Sequence, residues 1–81
     1  MLRIGKKTDY KPQEVLQKAV AFFKEQGGLK LEHQTPTTVY LVGGGGHVQV
    51  MAEPNKEEKK TEVDIQTQEW DYDVKQFLKE L

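Results

Sequence analysis

The chain has 81 residues, 31% of them charged, with 12 basic against 13 acidic side chains and a formal net charge of −1. That length accommodates one small domain spanning residues 1–81. The absence of both cysteine and serine excludes disulfides, thiolate metal sites and thiol or seryl nucleophiles. The even charge also lacks the basic excess that a phosphate backbone attracts.

The first residues, Met-Leu-Arg-Ile-Gly-Lys-Lys, contain no apolar stretch of the secretory kind. No run in the chain approaches the ~20 apolar residues that a membrane helix requires. With no cysteine to protect, the expected setting is the cytoplasm and no membrane is expected as partner. Leu2–Lys6 alternates weakly and reads either as a short edge strand or as a frayed end. Thr8–Pro12 turns into a helix predicted over 12–26, with Pro12 suited to the first helical position and Glu14 to the positive end of the helix dipole. Val15, Leu16, Ala19, Val20 and Phe23 form its apolar stripe, with Phe22 at the margin. Gly27 and Gly28 end it.

Leu29–His33 alternates as a half-buried strand, and Gln34-Thr35-Pro36 breaks it. Thr37–Val42 and His47–Ala52 then flank Gly43–Gly46. Symmetric closure on the glycines pairs Val42 with His47, Leu41 with Val48 and Val39 with Val50, whether the loop has two or four residues. Val39, Leu41, Val48, Val50 and Ala52 therefore share an apolar core face. Glu53–Lys60 is predicted to be an exposed charged connector. Thr61–Thr67 alternates again, with Val63, Ile65 and Thr67 inward. Trp70, Val74, Phe77, Leu78 and Leu81 fall on one helical stripe, and Asp71 or Asp73 serves as a cap or complements the dipole of that last helix.

The resulting fold class is α+β: a two-layer (β)-α-β-β-β-α sandwich, with a three- or four-stranded antiparallel meander and both helices on one face. Chemistry is sparse. The four glycines lack the Lys-Ser/Thr and the following helix of a phosphate loop. His33 and His47 have no ligand-like spacing with carboxylates, so neither a metal nor another cofactor is expected. Glu62, Asp64, Glu69, Asp71 and Asp73 read as a solvated strand face and a helix start. Lys6, Lys7 and Lys11 around Tyr10 are too few to predict nucleic-acid binding. No catalytic residue is assigned.

What remains is the other face of the central hairpin, which carries Tyr40, Val42, His47, Gln49 and Met51. With both helices needed on the core face, these five are left as an uncovered interaction patch of aromatic and flexible apolar groups. The expectation is a non-catalytic interaction module that forms a homodimer, or meets another protein, through the open sheet face. The alternative is a small-ligand site on that face or between helices and sheet.

Overall fold

The β-branched runs on either side of the four glycines form the middle of an antiparallel sheet. A computed structural model describes all residues, Met1–Leu81. In chain order the elements are β1 (Leu2–Thr8), α1 (Pro12–Gly27), β2 (Lys30–Gln34), β3 (Thr38–Gly43), β4 (Gly46–Asn55), β5 (Lys60–Gln68) and α2 (Asp71–Leu78). The sheet order is β1-β5-β4-β3-β2, with every neighbouring pair antiparallel. The longest strand, β4, is therefore also the central one.

The architecture is the expected α+β sandwich, but the sheet has five strands rather than three or four. Four strands follow α1, one for each of the stretches read at 29–33, 37–42, 47–52 and 61–67, so the order (β)-α-β-β-β-α counted one too few; the first of them pairs over Lys30–Gln34 as β2, with a bulge between Leu31 and His33. The N-terminal stretch is also a strand. Its alternation continues the core rows of β5, with Leu2 opposite Thr67 and Ile4 opposite Ile65. The apolar face of β5 would otherwise end at an unpaired edge.

A second correction concerns the 53–60 connector. The β4–β5 ladder runs on through Glu53↔Glu62, Pro54↔Thr61 and Asn55↔Lys60, leaving only residues 56–59 as a turn. Pro54 is tolerated because of its side of the ladder. The Ala52 N–H donates toward β3, to the Thr37 carbonyl at 2.9 Å. Two residues on, the Pro54 nitrogen points the same way, past the end of β3, so no ladder bond is lost. The Asn55 side-chain carbonyl accepts from the Glu57 and Glu58 N–H groups at 3.0 and 3.3 Å and braces the turn.

The hairpin register follows the sequence pattern: Val42↔His47, Leu41↔Val48 and Val39↔Val50. The loop is the two-residue form, with Gly44 (φ 57°) and Gly45 (φ 79°) both left-handed, as a type I′ turn requires. The inward residues Val39, Leu41, Val48, Val50, Ala52, Val63 and Ile65 belong to one buried cluster. Val15, Leu16, Ala19 and Phe23 of α1 and Val74, Phe77 and Leu78 of α2 complete it with Leu29. Phe22 packs on the cluster margin, edge-on to Phe23 with ring centroids 5.1 Å apart. Thr8, Thr61 and Thr67 are buried at the core edge, and each hydroxyl is satisfied by a backbone carbonyl: Leu81, Tyr10 and His47 respectively.

Both helix starts depend on backbone position more than on side-chain caps. Pro12 opens α1, and the Glu14 carboxylate reaches back to the Lys11 N–H at 3.4 Å. In α2 neither Asp71 nor Asp73 caps the helix, because Trp70 takes the cap position. The two carboxylates lie in the first turn, where the dipole favours them.

Candidate functional site: the open sheet face

Antiparallel pairing puts directly opposed residues on the same face, so the register defines the rows of the uncovered side. One row runs Gln68–His47–Val42–Lys30. The next runs Arg3–Gln66–Gln49–Tyr40–His33, then Gly5–Asp64–Met51–Thr38, then Lys7–Glu62–Glu53, and last Lys60–Asn55. Tyr40, Val42, His47, Gln49 and Met51 thus lie together on three consecutive rows, beginning beside the glycine turn. Each is half-buried, shaded by its strand neighbours alone. Neither helix reaches them, since both pack into the cluster on the opposite side. The two segments able to fold over the patch do not: β1 joins the sheet at its edge, and the 56–59 turn closes the far end of β4 and β5.

The Tyr40 and His47 rings stack across β3 and β4, with centroids 5.4 Å apart and planes 24° from parallel. This diagonal contact makes one flat platform of two amphipathic rings. His33 is Tyr40's neighbour on the other side. No group of three or more His, Asp or Glu side chains is placed to hold a metal ion.

Beside the platform lies a shallow groove of about 730 Å³. Gly5, without a side chain, forms its floor, and Arg3, Lys7, Met51, Glu53, Glu62 and Asp64 line it. The sequence carried a signal for this groove in the opposite charges at period two: Arg3 and Lys7 against Glu62 and Asp64. It is read only once the first strand is paired with the last. Arg3 and Asp64 form a salt bridge at 2.8 Å, and Lys7 meets Glu58 at 2.7 Å. Hydrogen bonding to these carboxylates raises the pKa of both bases, Arg3 through Asp64 and Lys7 through Glu58.

The remaining sequence candidates are not brought together. Lys6 points to the helix side, where its ammonium donates to the Leu78 carbonyl at 2.7 Å, while Lys7 faces the opposite side. Tyr10 takes a different lysine, Lys18, over its ring at 4.7 Å. The excess of glycine at the hairpin has a structural cause inside the chain. Trp70 lies against the turn, donating its indole N–H to the Gly43 carbonyl at 2.8 Å. A Cβ on Gly44 would come within 2.8 Å of the indole, and one on Gly46 would collide with the Gln68 carbonyl. The close approach at these glycines is made by the corner between β5 and α2.

The interior between helices and sheet is occupied by the buried cluster. The second hollow, about 380 Å³, lies at the end of β1 among Thr8, Asp9, Tyr10 and Leu81. No helix is long and apolar enough to cross a membrane. The chain matches no protein-family model, no curated protein and no solved structure.

Proposed function

We propose that this domain is a non-catalytic interaction module that self-associates through the open sheet face. The observation that carries the reading is the arrangement of Tyr40, Val42, His47, Gln49 and Met51: contiguous, half-buried by neighbouring strands, and covered by neither helix, terminus nor loop. Aromatic rings and methionine without a covering layer are the composition of an interface centre rather than of a solvated sheet face. A homodimer in the cytoplasm is the assembly proposed. The face measures five strands at about 4.8 Å by some seven residues at about 3.3 Å, roughly 500 Å² per copy. Two such faces bury on the order of 1,000 Å², the lower end of specific interfaces, so the association is expected to be weak and reversible.

The small-ligand reading has one observation of its own, the groove floored by Gly5 on the same face. A second copy seated on the face would close that groove, so one measurement separates the two readings. Sedimentation velocity from micromolar to millimolar concentration is expected to show monomer converting to dimer, and Met51→Glu to weaken the conversion at least tenfold. A strict monomer at millimolar concentration would overturn the proposal and leave the groove as the site to pursue.

A further inference from the structure

The sheet ends in two outer strands, β1 and β2, and they differ as templates for a further strand. Along an antiparallel strand, successive residues turn their N–H and C=O groups to opposite sides, so one bond fixes the direction for the whole sheet. The Ala52 N–H donates to the Thr37 carbonyl, so even-numbered residues of β4 bond toward β3 and odd-numbered ones toward β5. Carried through the β4–β5 and β1–β5 registers, this sets Leu2, Ile4, Lys6 and Thr8 against β5. The N–H and C=O groups of Arg3, Gly5 and Lys7 therefore point away from the sheet. At the opposite edge, the bulge between Leu31 and His33 breaks that alternation in a strand of only five residues. Bulges and short strands are ordinary defences against strand addition. β1 has neither: it pairs without interruption over seven residues and contains no proline.

Gly5, at the middle of this edge, has no cause inside the chain. Its φ is not left-handed, and a Cβ there would make only an ordinary contact, 3.5 Å from the Val63 carbonyl. Glycine weakens a strand interior and marks places where another backbone comes close. Around it, β1 carries three bases, Arg3, Lys6 and Lys7, and no acid. Carboxylates flank Arg3 and Lys7 on the β5 side: Asp64 bridges Arg3, Glu62 stands opposite Lys7, and Glu58 bridges Lys7. No strand flanks them on the free side. Arg3 gives Nε and Nη2 to Asp64 and Lys7 makes one bond to Glu58, so Arg3 Nη1 and the other ammonium protons have no acceptor in the chain. Lys6 lies on the helix side, bonded to the Leu78 carbonyl. A second copy of β1 at this edge would set bases against bases, which destabilises a strand pair. We propose that the β1 edge takes an extended acidic segment of another protein as an added strand, antiparallel like every pair in the sheet. Its carboxylates stand opposite Arg3 and Lys7, and a bulky side chain between them covers Gly5 in the groove that Gly5 floors. In strand addition, main-chain bonds supply affinity and alternate side chains supply selectivity.

The test is a titration of the isotopically labelled chain, at micromolar concentration, with the end-blocked peptide Thr-Glu-Thr-Phe-Val-Glu-Val. Paired antiparallel, its glutamates oppose Lys7 and Arg3 and its phenylalanine opposes Gly5. The amide protons of Arg3, Gly5 and Lys7 are expected to move downfield and gain protection from exchange, while those of Leu2, Ile4 and Lys6, already turned to β5, move little. The same peptide with lysine for both glutamates is expected to bind at least tenfold more weakly, because two opposed pairs change sign. Gly5→Pro removes an N–H that β5 does not use, a change tolerated on an edge strand, and is expected to abolish binding. Lys7→Glu, at an exposed position, keeps the test decisive if the proline variant fails to fold: it is expected to weaken the acidic peptide several-fold and to strengthen the lysine peptide. No shifts at millimolar peptide, shifts confined to other elements, or equal binding of the two peptides would overturn the proposal. So would movement of the same three amides on raising the protein concentration alone, which would make a second copy the occupant.

Discussion

At the residue scale, two backbone positions oppose ordinary preference. Lys59 (φ 55°) and Glu69 (φ 76°) are left-handed without being glycine. The αL conformation costs an L-residue roughly 1–2 kcal/mol, less what glycine adds in unfolded-state entropy. Lys59 is exposed at the end of the 56–59 turn, so Lys59→Gly is expected to raise stability by about 0.5–1 kcal/mol in urea denaturation. A loss would show that its side chain holds the turn. Glycines at the other hairpin separate into two roles. Gly45 supplies only a positive φ and has open space beside it, whereas Gly46 is fixed by the Gln68 carbonyl. The sequence revealed the first role, since a hairpin turn demands positive φ. The second requires knowing where the chain returns about twenty residues later, which local pattern does not contain.

At the element scale, helix stripes, strand alternation and hairpin register were all legible because each follows from a period and a turn. Val39, Leu41, Val48 and Val50 are buried together as the period-two pattern requires. Thr67 also faces inward as that pattern has it, and its hydroxyl is accommodated by the His47 carbonyl at 2.8 Å. The strand count was less legible. β1 is Lys-rich with weak alternation, and its partner β5 lies at the opposite end of the chain. The 53–60 stretch reads as loop by composition, yet its flanks continue the ladder because a charged strand end costs little when solvent is beside it. The joint between sheet and α2 rests on Trp70, whose indole N–H reaches Gly43. Trp70→Phe keeps one aromatic ring but leaves that carbonyl without its donor and gives up part of the indole's contact with Gly27 and Gly44. Thermal unfolding is expected to show a loss of about 1–2 kcal/mol, and an unchanged midpoint would show that the bond carries nothing.

At the scale of the whole molecule, one fact dominates: two helices cover one side of a five-stranded sheet and nothing covers the other. The composition of the open side was legible from the hairpin alone, because Tyr40, Val42, His47, Gln49 and Met51 are fixed by the same register that buries their neighbours. The opposition of Glu53 and Glu62 was not, since they pair only when the ladder extends past the expected loop. The domain is small, with total stability on the order of 4–12 kcal/mol by ordinary per-residue values. A weak dimer would add to that margin only logarithmically, as RT ln(1 + concentration/Kd).

The most direct test of the uncovered face is a concentration series of amide chemical shifts in the isotopically labelled chain. The account predicts that, from micromolar to millimolar, shifts move for Tyr40, Val42, His47, Gln49 and Met51 and for Gln66 and Glu53 beside them, while the outer side of α1 stays fixed. Shifts confined to an edge strand, Leu2–Thr8 or Lys30–Gln34, or no shifts at all, would contradict it.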